Sequence, residues 1–287
     1  MTSSTGRNDP GKGWIASHRS QNLARAFGRV TAQAWEPIAF SLSLNGPLCD
    51  RLRAWPRNPQ QGDVERGRDL IEGRYVLSGG SLDIRRGQPW KASDAMTLRF
   101  REALHGFAWL ADLAALGRSE GNLHLIAGEK SRALISGWLG AHAAFSEPAW
   151  RPDIVGRRII SWLCEAPMLT ENTDLVWRSR FHYSLGCQAR YLFQTAEHAP
   201  GGEGRLTALI GLQLACLALG NAGPRRHRAS ARLLRELEAQ TEAAGTFGSF
   251  AHMSLRCDLQ ILRSAFIQSN TPMEQPLEEI IGRLSGA

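Results

Sequence analysis

Residues 149–163 read AWRPDIVGRRIISWL, and this stretch decides the fold. Pro152 marks the connection before it, and apolar residues then recur at the spacing of an α-helix. We predict a helix over 154–164 that is apolar on more than one side. Such a helix is buried by neighbouring helices on several sides, so the stretch favours a helical array.

The chain outward from this stretch continues the same pattern, and everything after Ser93 is predicted to be helical. Apolar positions from Leu98 to Leu116 predict one helix that ends at Gly117. Further helices are predicted near 122–143, 173–197, 204–219, 227–243, 251–268 and 275–285. Short connections between them indicate helical hairpins stacked in a curved or toroidal array. An α-solenoid remains the alternative, although the sequence shows no fixed-period repeat.

The part before Ser93 differs in composition. Residues 1–50 are predicted to form an N-terminal helix and an irregular segment, and residues 51–287 the helical domain. A loose stripe from Trp14 to Val30 favours a docking helix or a frayed terminus over a helix lying on a membrane. Gly and Pro are dense over 45–87, which predicts loops. Within them, 74–77 and 81–84 flank two glycines and predict a β-hairpin.

Composition limits the class of partner. The 287 residues are 43% hydrophobic, enough for a large core, and the formal net charge is +7. Of 34 basic residues, all but Lys12, Lys91 and Lys130 are arginine. Arginine makes paired hydrogen bonds to carboxylates, phosphates and sulfates, which favours an anionic partner such as an acidic polysaccharide, a nucleic acid or a membrane surface. A codon bias towards arginine explains the same composition without a function.

Several classes lack support. The five cysteines are odd in number and without short spacing, which argues against a disulfide framework or a zinc site. The sequence holds no P-loop, zinc-hydrolase or α/β-hydrolase motif, so neither a cofactor nor a metal is expected. The longest apolar run, 206–219, is too short for a transmembrane segment. The first thirty residues lack the apolar core of a secretory signal, and the compartment stays open.

Five stretches carry a family resemblance. They are 55–63 (WPRNPQQGD), 71–75 (IEGRY), 104–113 (LHGFAWLADL), 149–163 (AWRPDIVGRRIISWL) and 184–192 (SLGCQARYL). Their order and spacing resemble the N-terminal helical part of bacterial heparinase II/III polysaccharide lyases over roughly residues 50 to 285. The resemblance implies an incomplete α/α toroid, and β-elimination beside a uronic acid in a cleft between the toroid and a β-sandwich.

Two departures from that family bear on activity. The chain ends at Ala287, about where the toroid would join the β-sandwich, so a separate β-sandwich domain or chain is an implied partner. Residues 243–251 read AAGTFGSFA where the family carries an Asp-Gly-Gly-His text. We therefore expect a domain that binds a uronate-containing polysaccharide, with lyase activity only if a second domain or partner completes the site. The alternative is a non-catalytic glycan-binding or interaction module.

Substrate contacts are predicted for eight residues: His105, Trp109, Trp150, Arg151, Asp153, Arg157, Arg158 and Arg190. His105 and Trp109 are four apart and would share one helix face. Arg151 and Asp153 would form a clamp at a helix start. Core packing, or a structural ion pair, is the alternative for these groups. His182 and Tyr183 have the chemistry of an elimination base and are the catalytic candidates.

Two other functions have weaker support in the sequence. A toroidal glycoside hydrolase needs two carboxylates facing one cleft, for which Asp153 and Glu165 are the only tempting pair. A nucleic-acid binder needs clustered basic residues with stacking platforms, and the scattered arginines disfavour it.

Overall fold

The computed structural model describes residues 34–47, 49, 51–220, 223–244 and 249–285. Over these ranges the chain is mainly helical, which confirms the predicted class. The helices are α1 (34–43), α2 (Val64–Glu72), α3 (Pro89–Ala92), α4 (Leu98–Gly106), α5 (Leu110–Ser119), α6 (His124–Ala141), α7 (Pro152–Cys164), α8 (Ala166–Thr170), α9 (Leu175–Thr195), α10 (Glu203–Ala218), α11 (Pro224–Ala244), α12 (Ser249–Gln268) and α13 (Gln275–Ser285). The predicted stripe from Trp14 to Val30 lies outside the described residues.

None of the helices in these described ranges is both long and apolar enough to cross a bilayer.

The predicted β-hairpin is present and begins its second strand one residue early. Strands β1 (Arg74–Leu77) and β2 (Gly80–Asp83) pair antiparallel, with Leu77 opposite Gly80. Ser78 and Gly79 form the connection, and both have positive φ, as a type I′ turn requires. The hairpin therefore follows from the local turn chemistry.

Helix α2 lies in a region that was predicted to be loops. The side chain of Asp63 accepts a hydrogen bond from the backbone N–H of Arg66 at its start. Gly73, at φ 90°, ends the helix in the left-handed conformation. An Asp before a helix and a Gly after it are standard boundary signals. The many surrounding Gly and Pro residues favoured a loop over this helix in the sequence.

The single helix predicted from Leu98 to Leu116 is two helices, which corrects that prediction. Phe107 has φ 59° and separates α4 from α5. Its ring is fully buried, with centroids 5.4 Å from those of both Trp90 and Trp162. Aromatic packing at this point outweighs the cost of a left-handed residue.

The centre of the fold is the contact between α7 and α10. Helix α10 packs against α7, α9, α11 and α12, and its residues from Leu206 to Ala218 are buried. A Cβ added to Gly211 would lie 2.6 Å from the Cα of Gly156, and one added to Gly156 would lie 2.5 Å from the carbonyl oxygen of Thr207. The two backbones approach this closely only because neither glycine has a side chain.

We expect Gly156→Ala to lower the free energy of unfolding by about 1–3 kcal/mol, because the new methyl group must push α7 away from α10. Urea denaturation followed by circular dichroism measures the change. Gly140→Ala is the matched control, since nothing lies within 4 Å of a Cβ at that position in α6. It should stabilise by about 0.5–1 kcal/mol. Equal stability of the two variants would contradict the close contact.

Candidate functional site

A cleft of about 420 Å³ lies where α4, α5, α7 and α12 meet the loop that precedes α2. The loop contributes Asn58, Gln60 and Gln61 to its lining. The backbone N–H of Asp63 donates to Oδ1 of Asp112 at 2.7 Å, which fixes the loop against α5. A side chain at Gly62 would clash with the backbone of α5. The local sequence therefore places amide side chains at the cleft's edge.

Acidic groups outnumber basic ones among the described residues that line the cleft. The carboxyl-bearing residues are Glu102, Asp112, Glu165 and Asp258, and the cations are Arg66 and Arg157. The family resemblance implies a positive groove, and the cleft does not match that expectation.

Burial controls the charge of these carboxyl groups. It raises the pKa of Glu165 to about 7, with Arg118, 4.0 Å away, opposing the shift. Burial also raises the pKa of Asp112. Removing a carboxylate from water disfavours its charged form, so Glu165 is only partly ionised at neutral pH.

Arg157 is the arginine that α7 contributes to the cleft. Its Nη1 and Nη2 donate to the two carboxylate oxygens of Asp258 at 2.7 and 2.8 Å. A further bond runs from Nη2 to the hydroxyl of Ser254 at 3.3 Å. The pair ties α7 to α12 and uses much of the hydrogen-bonding capacity that was predicted for a substrate.

A second cavity of about 390 Å³, which we call the basic side pocket, is lined by residues that neighbour those of the cleft in the sequence. Residues 51–62 and 160–170 contribute lining residues to both. The basic side pocket is lined by Arg51, Leu52, Trp55, Ala166, Pro167, Thr170, Arg178 and His182, and none of these described residues is acidic. Trp55 is 47% exposed. This pocket, rather than the cleft, combines positive charge with an open aromatic face.

His105 lies in the core, which is the alternative that the sequence left open to a sugar contact. The turn at Phe107 separates it from Trp109, so the two do not share a helix face. Its Nδ1 accepts from Nε1 of Trp138 at 3.2 Å, and its ring stacks on Trp90. Burial, with His142 and Arg158 nearby, lowers its pKa to about 3, so the ring is neutral. Trp109 is buried too but lines the cleft.

Trp150 and Arg158 are also structural. Nε1 of Trp150 donates to the carbonyl oxygen of His142, and its ring packs on Phe40 and Tyr191. Arg158 is fully buried, with its guanidinium 4.0 Å from the centroid of Trp138. Neither residue lines the cleft or the basic side pocket, so the predicted substrate contacts of Trp150 and Arg158 have no support from these two cavities.

The predicted clamp at the start of α7 is present. Nε and Nη2 of Arg151 donate to the two carboxylate oxygens of Asp153, each at 2.7 Å, and Nη1 pairs with Glu102. These hydrogen bonds raise the pKa of Arg151. Asp153 is held there and does not line the cleft with Glu165, so the hydrolase pair considered above is not formed.

The remaining candidates lie apart. His182 is buried and lines the basic side pocket. Tyr183 donates its hydroxyl to the carbonyl oxygen of Leu44 at 2.8 Å and lines another cavity. Arg190 donates from Nε to the carbonyl oxygen of Ser43 at 2.7 Å, away from both sites. The structure therefore does not assemble His182, Tyr183 and Arg190 into one catalytic group.

Sequence reasoning missed most residues of the two sites. They are Asn58, Gln60, Gln61, Arg66, Asp112 and Glu165 in the cleft, and Arg51, Trp55 and Arg178 in the basic side pocket. The motif over 55–63 holds the signal for these residues, because it contributes Trp55 to the basic side pocket and Asn58, Gln60 and Gln61 to the cleft. Among the described residues, no group of His, Cys, Asp and Glu is arranged to hold a metal.

Comparison with known proteins gives one relative by sequence and one by structure. No protein-family model matches the chain. It is 27% identical over 270 residues to FtsZ-localized protein C of Caulobacter vibrioides (strain NA1000 / CB15N), which covers 92% of this chain and 45% of that protein. The structure of this chain is similar to the crystal structure of heparan sulfate lyase HepC from Pedobacter heparinus. The TM-score is 0.59, and the identity is 17% over 90% of this chain and 42% of the lyase chain.

The chain thus spans less than half the length of each of these proteins. The structural likeness confirms the predicted α/α toroid, a fold that this chain shares with the part of the lyase it matches.

Proposed function

We propose that this chain is a heparinase-like domain that binds an acidic, uronate-containing polysaccharide without cleaving it unaided. The observation that carries the proposal is the basic side pocket, which places Arg51 and Arg178 beside the open ring of Trp55. Guanidinium groups bind carboxylates and sulfates, and an exposed indole ring offers a flat apolar face to a sugar.

Arg178 is held in place for this role. Its Nε donates to the hydroxyl of Thr173 and its Nη2 to the carbonyl oxygen of the same residue, each at 3.0 Å. A guanidinium that is already oriented loses less conformational freedom when it binds an anion. The glycan would extend from this pocket along 51–62 to the amides of Asn58 and Gln60.

The lack of turnover follows from the chemistry of β-elimination. The reaction needs a group that neutralises the uronate carboxylate and a base that removes the adjacent proton. Asn58 has the chemistry for the first need, but the described lining of the cleft includes neither histidine nor tyrosine. Glu165 has a suitable pKa, yet its carboxylate would repel that of the substrate. In this proposal a second domain or partner supplies the base.

A second candidate function is an interaction module that localises with FtsZ. It is favoured by the 27% identity to a protein named for its localisation with FtsZ. In this case the toroid would serve as a scaffold, and its function would not require glycan binding. Co-sedimentation with FtsZ polymers that persists after the basic side pocket is mutated would favour this function over the first.

We expect Arg178→Gln and Trp55→Ala each to weaken binding of heparan sulfate by about tenfold, since each removes one main contact of the basic side pocket. Surface-immobilised glycan and a series of salt concentrations provide the measurement. Arg85→Gln is the matched control, because its side chain is 84% exposed and lies in neither cavity. It should change the affinity less than about twofold. Equal losses in all three variants would indicate non-specific attraction and contradict the proposal.

The same protein should give no rise in ultraviolet absorbance from unsaturated uronate with heparan sulfate or alginate. A rise that Asn58→Ala abolishes would show a self-sufficient lyase and overturn the proposed division of labour. Circular dichroism of each variant confirms that the fold is retained.

Glu165 should make glycan binding depend on pH. Below its raised pKa of about 7 the carboxyl group is neutral, and above it the negative charge repels the glycan. We expect affinity for heparan sulfate to fall about threefold between about pH 6 and about pH 8, and Glu165→Gln to remove most of that fall. Glu129→Gln, at an exposed position in α6, should leave the pH dependence intact. An unchanged pH profile in Glu165→Gln would contradict this role.

A further inference from the structure

A third cavity, of about 430 Å³, has features of a separate binding site. It lies between the segment after α1, the C-terminal half of α9, helix α10 and the start of α11. It is lined by Leu42, Asn45, Pro47, Cys49, Gly186, Ala189, Arg190, Phe193, Gln194, Leu212, Cys216, Leu219 and Arg225. None of these residues lines the cleft or the basic side pocket. We call it the α9–α11 cavity.

The charge of the α9–α11 cavity is positive. Arg190 and Arg225 belong to its lining, and no described lining residue carries a carboxyl group. Arg190 is oriented by a short bond from Nε to the backbone of Ser43 and by longer contacts from Nη1 to the backbone of Pro47 and from Nη2 to Cys187, at 3.4 and 3.3 Å. The guanidinium carbon of Arg225 lies 6.0 Å from the ring centroid of Phe193. Two positioned guanidinium groups in a concave site are suited to one anionic group.

The charges around Cys216 also indicate that the α9–α11 cavity is positive. Burial raises the pKa of the Cys216 thiol to about 11, and the charges that oppose the shift come from Arg225, Arg226 and Arg232. Arg232 is already paired with Glu197 at 2.8 Å, so Arg225 and Arg226 are the charges that favour an anion at this place. The first turn of α11 also lacks an acidic residue. Its arginines therefore lie at the positive end of the helix dipole without a counter-charge from that turn.

The other wall of the α9–α11 cavity is apolar. Leu212 and Leu219 come from α10 and the residue just after it, and Leu42, which is 52% exposed, comes from α1. A strongly hydrated sugar acid would leave this wall unused, whereas an aryl or alkyl group would bury it. The volume falls in the usual range for a small-molecule site of about 300–1,000 Å³.

We propose that the α9–α11 cavity binds a small organic anion, in which a phosphate, sulfate or carboxylate group is joined to an apolar body. The anionic group lies between Arg190 and Arg225, and the apolar body lies against Leu42, Leu212 and Leu219. The proposal does not depend on glycan binding, since the cavity and the proposed glycan site share no lining residue.

Titration with phenyl phosphate and with inorganic phosphate, followed by ³¹P NMR, tests the proposal on the full chain. We expect phenyl phosphate to bind at least about tenfold more tightly, because only it has an apolar body. Arg225→Gln should weaken phenyl phosphate binding by about tenfold. Arg228→Gln, in the same turn of α11 but outside the cavity lining, should change it less than about twofold.

The apolar wall has its own matched pair. Leu42→Ser should weaken phenyl phosphate binding and leave inorganic phosphate unchanged, whereas Ile38→Ser, exposed on the same helix and outside the lining, should alter neither. Equal affinity for the two phosphates, equal losses in Arg225→Gln and Arg228→Gln, or binding that does not saturate would each overturn the proposal.

Discussion

The buried guanidinium of Arg158 is the constraint on which the arrangement of the toroid depends. Nε donates to Oε1 of Gln188, and Nη1 donates to the carbonyl oxygens of His105 and Ala149. These bonds join α7 to α9, to the end of α4 and to the segment before α7. The described partners are neutral, and burial lowers the pKa of Arg158 to about 9, so the group still carries its charge at neutral pH. A buried charge demands such partners, and their positions are fixed accordingly.

Arg158 also explains why the aromatic residues around it form a core rather than a substrate platform. Its guanidinium stacks on Trp138 at 4.0 Å and lies 5.5 Å from Trp150. The cation needs the faces of these rings, because direct carbonyl contacts supply only part of its hydrogen bonds. The rings in turn pack with Trp162 and Tyr191. Trp150, which the sequence predicts as a substrate contact, instead helps Trp138 to stabilise the buried charge of Arg158.

Packing between residues that are distant in the sequence separates what the sequence could predict from what it could not. Helix positions follow from the 3.6-residue period and from Gly and Pro, which is why α6, α7, α9 and α10 were predicted within a few residues. The break at Phe107 depends on burial between Trp90 and Trp162, which are distant in sequence. The apolar periodicity of a helix continues across that break, so the local sequence holds no signal that the helix ends at Phe107.

The candidate site was harder to predict for a related reason. Whether an arginine faces a ligand depends on whether a carboxylate from another helix reaches it first. Arg157 meets Asp258, which is 101 residues later, whereas Arg178 is oriented by Thr173 on the preceding loop. A residue's type and its motif are visible in the sequence, but this partner choice is a property of the packed helices.

In the function proposed above, the distribution of charge between the cleft and the basic side pocket determines where the glycan binds. The glycan would be attracted by Arg51 and Arg178 and repelled by Glu165 and Asp112, so it would be held firmly at one end and loosely over the cleft. Tight ground-state binding away from the reacting bond does not by itself lower the barrier to elimination. A toroid with this charge pattern therefore fits a domain that holds a polysaccharide for another domain or partner better than one that cleaves it.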